Sequence, residues 1–110
     1  MSHLAADVRP LGPGSAIEEA SVRPFYLDDR RTRIAIARVA GRLYAFDDLC
    51  TCAEDRCPLS SGLLTGTTVQ CQCHGSRFDV RTGAVIEGAA TRGLQTYEVG
   101  ETDGTVEIRA

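Results

Sequence analysis

Residues 67–88 read TTVQCQCHGSRFDVRTGAVIEG, and the pattern in this stretch sets the expectations for the rest of the chain. Thr67 to Cys71 carries β-favouring residues. After Cys71, Cys73 and His74, the segment SRFDVRTGAVIEG reads as a strand, a turn at Thr82–Gly83 and a second strand. Two short strands thus flank a knot of thiol and imidazole side chains. Upstream, GLLTG places Gly62 and Gly66 as punctuation before Thr67. A second knot precedes it: residues 50–61 read CTCAEDRCPLSS, with Cys50, Cys52 and Cys57 within eight residues.

Moving outward, TRIAIARVA (32–40) alternates Ile34 and Ile36 with small or charged neighbours, as a half-buried strand does. AGRLYAF follows as a tight turn through Gly41 and a partner strand. GLQTYEVGETDGTVEIRA (93–110) is a hairpin whose turn contains Asp103–Gly104. No long segment has helical periodicity. The expected class is all-β, built from short antiparallel strands, with both cysteine groups in loops at strand ends. Residues 1–20, rich in Ala, Gly and Pro, are expected to be a flexible N-terminal segment, with order beginning at ASVRPFYL and one domain spanning 21–110.

Composition narrows the function. The 110 residues carry a net charge of −3, and the twelve cationic side chains are all arginine, with no run longer than Arg30–Arg31. That argues against nucleic-acid binding through a basic patch. No apolar stretch is long enough to span a bilayer, and MSHLAADVRPLGPG lacks the features of a secretory signal, so a cytoplasmic location with no membrane contact is expected. In that reducing compartment, five cysteines confined to positions 50–73 point to a metal rather than a disulfide scaffold.

Thiolate and imidazole bind borderline-soft iron and zinc, and two short pairs from separate loops give four ligands. The pairs are Cys50–Cys52 and Cys71–His74, and the 18 residues between Cys52 and Cys71 suffice for a hairpin that folds one pair opposite the other.

FDDLCTC, CPLSSG, CQCHGSRFD, TGAV and the late DGTVEI occur in the order in which Rieske-type ferredoxins carry their motifs, and the chain resembles that family from about residue 21 to its end. The resemblance implies a [2Fe–2S] cluster at the tip of a cluster-binding subdomain made by loops 50–61 and 71–76, with one iron held by two cysteines and the other by two histidines. Cys50, Cys71 and His74 match three ligand positions. Cys52 stands where the first histidine belongs, and the other histidine, His3, lies near the N-terminus.

Two extra residues in AEDR leave two registers. Counting back from Cys57 puts Cys52 and Glu54 in the ligand positions, and counting forward from FDD puts Cys50 and Cys52 there. The second is adopted because thiolate is the commoner cluster ligand. By the same resemblance, Cys57 and Cys73 match a disulfide that ties the loops in high-potential members. Two unbridged thiols, or one recruited as a ligand, are the alternatives.

Ser76, beside Gly75, matches a hydroxyl donor to a bridging sulfide, and Phe78 falls where such members have a tyrosine that donates to a cysteine sulfur. EGAATRG replaces a proline-bearing loop that covers the cluster. Asp47–Asp48, just before the first ligand, is read as a solvated strand end because adjacent strand residues point to opposite faces.

The implied function is that of a monomeric one-electron carrier, not an enzyme, passing electrons from a flavoprotein ferredoxin reductase to a terminal oxygenase or a similar redox enzyme. The altered ligand motif keeps two other readings open: a cluster-free or zinc-bound structural or regulatory subunit, and a sensor built on a labile cluster held by three cysteines and one histidine.

Overall fold

The computed structural model describes residues 8–27, 32–49, 58–72, 75–88 and 92–109. They form ten strands and two single-turn 3-10 segments: β1 (Val8–Pro13), a turn at Gly14–Ala16, β2 (Ser21–Leu27), β3 (Thr32–Val39), β4 (Arg42–Asp47), a turn at Leu59–Ser61, β5 (Leu63–Thr65), β6 (Thr68–Gln70), β7 (Arg77–Asp79), β8 (Val85–Glu87), β9 (Thr96–Thr102) and β10 (Thr105–Arg109). A six-stranded antiparallel sheet has the order β1-β10-β9-β4-β3-β2, and a four-stranded sheet runs β5-β6-β7-β8. The class is all-β, as expected.

The three anticipated turns hold for local reasons. Ala40 and Gly41 both take positive φ (53° and 79°), as do Asp103 and Gly104 (52° and 81°). This is the two-residue turn whose twist matches the strands it joins. Glu19 caps the first of these turns through the backbone N–H groups of Ala40 (2.6 Å) and Gly41 (2.8 Å). At Thr82–Gly83, the Gly83 N–H donates to the carbonyl of Asp79 at 2.7 Å.

The N-terminal expectation fails for residues 8–20. β1 pairs with β10 along its length, with an irregularity between Pro10 and Gly12, and Ile17 is buried. Prolines are tolerated because β1 is an edge strand, where a missing N–H leaves no partner unpaired. Arg38 fastens the following turn, donating to the carbonyls of Ile17 (2.7 Å) and Gly14 (3.1 Å) and to Glu101 (3.2 Å).

β3 also departs from expectation, being covered on both faces rather than one. Ile34, Ala35, Ile36 and Ala37 are all fully buried. Ile34 and Ile36 join Ile17, Leu27, Ala45, Val106 and Ile108 in one core cluster, on the side where the large sheet curls over itself. Ala35 and Ala37 face the other way and share a second cluster with Phe46, Leu59, Val69, Cys71, Phe78, Val80 and Leu94. That second cluster binds the small sheet to the large one. With each buried side chain of this size contributing about 1.5–3 kcal/mol, it fixes where the loops of the small sheet emerge.

Candidate metal centre

The first loop leaves β4 and returns to the same place. Asp47, the last residue of β4, is held by the Tyr97 hydroxyl, which donates to its Oδ1 at 2.5 Å, and its N–H donates to the carbonyl of Gln95 at 2.9 Å. Asp48 points the opposite way and is fully buried. Its carboxylate accepts the Ser60 N–H (2.6 Å to Oδ1) and the Ser60 hydroxyl (2.9 Å to Oδ2), and it forms an ion pair with Arg33 Nε.

The backbone closes the same point. The Asp48 N–H donates to the carbonyl of Arg33 at 2.9 Å, the Leu59 N–H donates to the carbonyl of Asp48, and Leu49 bridges Pro58 in antiparallel fashion. Ser60 is well suited as donor because the first N–H groups of a helical turn lack partners within the turn. The reading of Asp47–Asp48 as a solvated strand end is therefore corrected for Asp48. Alternation does send the two side chains to opposite faces, but each face is covered, one by Tyr97 and the other by Arg33 and Ser60.

The second loop is shorter. β6 ends at Gln70, and Cys71 follows, buried at 1% exposure. Its N–H donates to the carbonyl of Ser76 at 2.8 Å and its carbonyl accepts the Gly75 N–H at 3.0 Å, so Cys71 and Ser76 are held together where the chain turns back into β7. Gly75 has φ +75°, the left-handed conformation that completes the reversal. Ser76 is fully buried. Phe78 is fully buried too, in the same apolar cluster as Cys71.

Packing brings the two loops to one end of the small sheet. Leu59, one residue beyond the bridge that closes the first loop, shares a cluster with Cys71. Three residues on, a Cβ on Gly62 would lie 2.1 Å from the Gln70 carbonyl oxygen, so the chain leaving the first loop passes directly against the residue before Cys71. A third segment approaches from β8. Gly88 has φ +107°, and a Cβ there would lie 2.5 Å from Ser76 Cα. Thus EGAATRG, which lacks the expected proline, still begins by packing onto the second loop. The turn beyond β7 carries a bidentate pair: Arg81 donates to Asp79 from Nε (3.1 Å) and Nη2 (2.8 Å), and its N–H donates at 2.8 Å. The hydrogen bond from the Arg81 side chain holds the Asp79 carboxyl below the usual carboxylate range, outweighing a partial desolvation that acts the other way.

Of the six residues expected to ligate or to form the disulfide, Cys71 lies within the described residues, at the mouth of the second loop. Cys50, Cys52, Cys57, Cys73 and His74, together with the alternative Glu54, lie outside them. The surroundings fit an iron–sulfur cluster. A buried thiol stands where two closed loops meet, and those loops carry four further cysteines and a histidine, the sulfur and imidazole donors such clusters take.

A family model for the Rieske [2Fe-2S] domain matches residues 9–98. The chain belongs to the Rieske [2Fe–2S] domain family. Sulredoxin of Sulfurisphaera tokodaii is 36% identical over 101 residues, covering 84% of this chain and 89% of its own. The ferredoxin component of the naphthalene 1,2-dioxygenase system of Pseudomonas putida is 39% identical over 66 residues, which cover 60% of this chain and 62% of that one. The Sphingomonas yanoikuyae B1 ferredoxin superposes with a TM-score of 0.85 at 27% identity, covering 93% of this chain and 97% of its own. A chain from the complex of reduced oxygenase and oxidized ferredoxin in carbazole 1,9a-dioxygenase also superposes with a TM-score of 0.85 at 27% identity, covering 94% and 93%.

The protein is accordingly a Rieske ferredoxin, an electron carrier with a [2Fe–2S] cluster rather than a catalyst. The match begins at residue 9, in agreement with the pairing of β1. No helix among the described residues is long and apolar enough to cross a membrane.

Sequence reasoning missed Asp48, Arg33 and Ser60. The signal available was an aspartate two residues before Cys50 and a serine two residues after the CP dipeptide. Neither position reveals which face is covered.

Proposed function

We propose that Cys50 and Cys52 from the first loop, with Cys71 and His74 from the second, hold the cluster, and that Cys57 and Cys73 pair as a disulfide across the loops. In this reading the protein is a cytoplasmic monomer that accepts single electrons from a flavoprotein ferredoxin reductase and delivers them to a terminal oxygenase. The observation that carries it is the packing of the two loop ends against one another at Leu59, Gly62, Gln70 and Cys71, which in sequence directly flank the cysteine-bearing segments. The named relatives support the partner classes: one is a ferredoxin component of a dioxygenase system, and another structure pairs a ferredoxin with an oxygenase.

When bound, the cluster supplies a one-electron couple. This chain's own residues position and shield it. Asp48 and Ser60 fix the base of one loop, the Cys71–Ser76 hydrogen bond fixes the other, and Phe78 closes the apolar side below Cys71.

The test is anaerobic reconstitution followed by assay of iron, sulfide and electron flow. Expected are a red-brown protein with stoichiometric iron and sulfide, reduction by a flavoprotein reductase, and reoxidation by an oxygenase of the dioxygenase class. A colourless protein that binds stoichiometric zinc and passes no electrons would contradict the proposal.

A further inference from the structure

Asp48 is a fully buried carboxylate. Such a group is costly to desolvate and persists only where its bonds are met. Here they come from elements on both sides of the first loop: Arg33 from β3, at the outgoing end, and the Ser60 N–H and hydroxyl from the turn at the returning end. Arg33 Nη2 also reaches the Ser60 hydroxyl at 3.5 Å, closing a three-membered network. Each bond from Ser60 to Asp48 crosses the mouth of the loop, at the position where Leu49 bridges Pro58. Fold stability by itself does not require a charge at this point, since an apolar residue of similar volume would fill it at lower desolvation cost. What the carboxylate adds is direction: three donors fix where the chain enters and leaves residues 50–57.

We propose that Asp48, with Arg33 and Ser60, forms a positioning lock for the first ligand loop, so that retention of the cluster depends on this carboxylate beyond its share in global stability. The proposal rests on the reading of residues 50–57 as a ligand loop. Arg38 provides the control. It binds the carbonyls of Gly14 and Ile17 and pairs with Glu101, which ties the N-terminal turn to β3 and β9, away from the described ends of both loops.

The experiment compares wild type, Asp48→Asn, Ser60→Ala and Arg38→Gln as reconstituted full chains. The readouts are bleaching of the visible absorption under excess chelator, the electron paramagnetic resonance line width, the melting midpoint of the cluster-free protein, and tryptic cleavage after Arg56 in that cluster-free protein. Asp48→Asn is expected to bleach at least about fivefold faster with a broadened spectrum, because charge-assisted bonds across the loop mouth are weakened. Ser60→Ala should follow in the same direction with a smaller change. Arg38→Gln should lower the melting midpoint while leaving bleaching and line width near wild type.

Bleaching of Asp48→Asn at the wild-type rate, or equal acceleration in Asp48→Asn and Arg38→Gln at matched melting midpoints, would overturn the lock. If Asp48→Asn fails to fold, Ser60→Ala decides by the same criteria. If the wild type takes up no cluster, the ligand reading fails by itself, and the lock is judged on cleavage after Arg56: faster in Asp48→Asn and Ser60→Ala than in Arg38→Gln supports it, and no difference overturns it.

Discussion

Replacing Gly88 by alanine probes the contact between the segment after β8 and the second loop. Two costs add at this position. The backbone has φ +107°, a conformation that non-glycine residues adopt at a cost of about 1–3 kcal/mol. The new Cβ would also meet Ser76 Cα at 2.5 Å, with Ser76 N and Oγ at 3.0 Å. Because carbon atoms rest at about 3.5–4.0 Å, one chain must retreat by about 1 Å, and the obstructing atom belongs to a backbone rather than to a movable side-chain tip.

Gly104→Ala separates the two costs. Its φ is +81° and a Cβ there meets nothing within 4 Å, so it pays about 1–2 kcal/mol for conformation and nothing for contact. At about 4–8 °C per kcal/mol for a domain near this size, Gly104→Ala should lower the melting midpoint by roughly 4–16 °C, and Gly88→Ala should lower it further. The local readout is amide exchange at Cys71, whose N–H donates to the Ser76 carbonyl. Exchange at Cys71 should accelerate in Gly88→Ala and not in Gly104→Ala. Equal melting of the two variants with unchanged exchange at Cys71 would refute the claim that Gly88 seats this segment on the second loop.

Phe46→Ala empties a fully buried site in the cluster that joins the two sheets and should cost about 3–5 kcal/mol, read by urea denaturation, with loss of the small sheet's amide protection first. Asp79→Asn tests the pair with Arg81. Since the folded carboxyl lies below its ordinary value, its stabilisation is present above about pH 4 and fades as pH falls through the lowered value. The wild type should therefore melt above Asp79→Asn at pH 7, and the gap should close on acidification; a gap that grows would contradict the pairing. Thiolate at Cys52 adds negative charge relative to imidazole, so the midpoint potential should lie between roughly −400 mV for all-cysteine plant ferredoxins and the roughly −150 to +300 mV range of two-histidine centres. Cys52→His should raise it, and a positive midpoint in the wild type would sink this ligand assignment. With His74 as the single titrating ligand, the potential should fall by no more than about 59 mV per pH unit for one electron and one proton.

The hairpins were legible in the sequence because their turns are written in residues that accept positive φ: Gly41, Asp103–Gly104 and Gly83. The family was legible because clustered thiol and imidazole side chains have a chemistry of their own, and the family model matches the stretch that carries them. β1 was not, since VRPLGP carries two prolines and strand patterns exclude proline except at an edge, and edge position is set by distant pairing with β10. The double burial of β3 was hidden because Ala35 and Ala37 look neutral until Phe46 and Phe78 pack around them. Asp48 was misjudged for a related reason. Local alternation gives the direction of a side chain, whereas its solvation depends on Arg33 and Ser60, fifteen and twelve residues away.

Above all else, this Rieske domain is proposed to carry one electron on a cluster held by Cys50, Cys52, Cys71 and His74. Electron paramagnetic resonance of the dithionite-reduced, reconstituted protein, with nitrogen couplings resolved in samples labelled at histidine, tests it most directly. The expected spectrum is that of a [2Fe–2S] centre with a single unpaired spin and coupling to one histidine nitrogen, which is lost in His74→Ala. A reduced protein without that signal, or with a signal that lacks histidine coupling and is unchanged in His74→Ala, would contradict it.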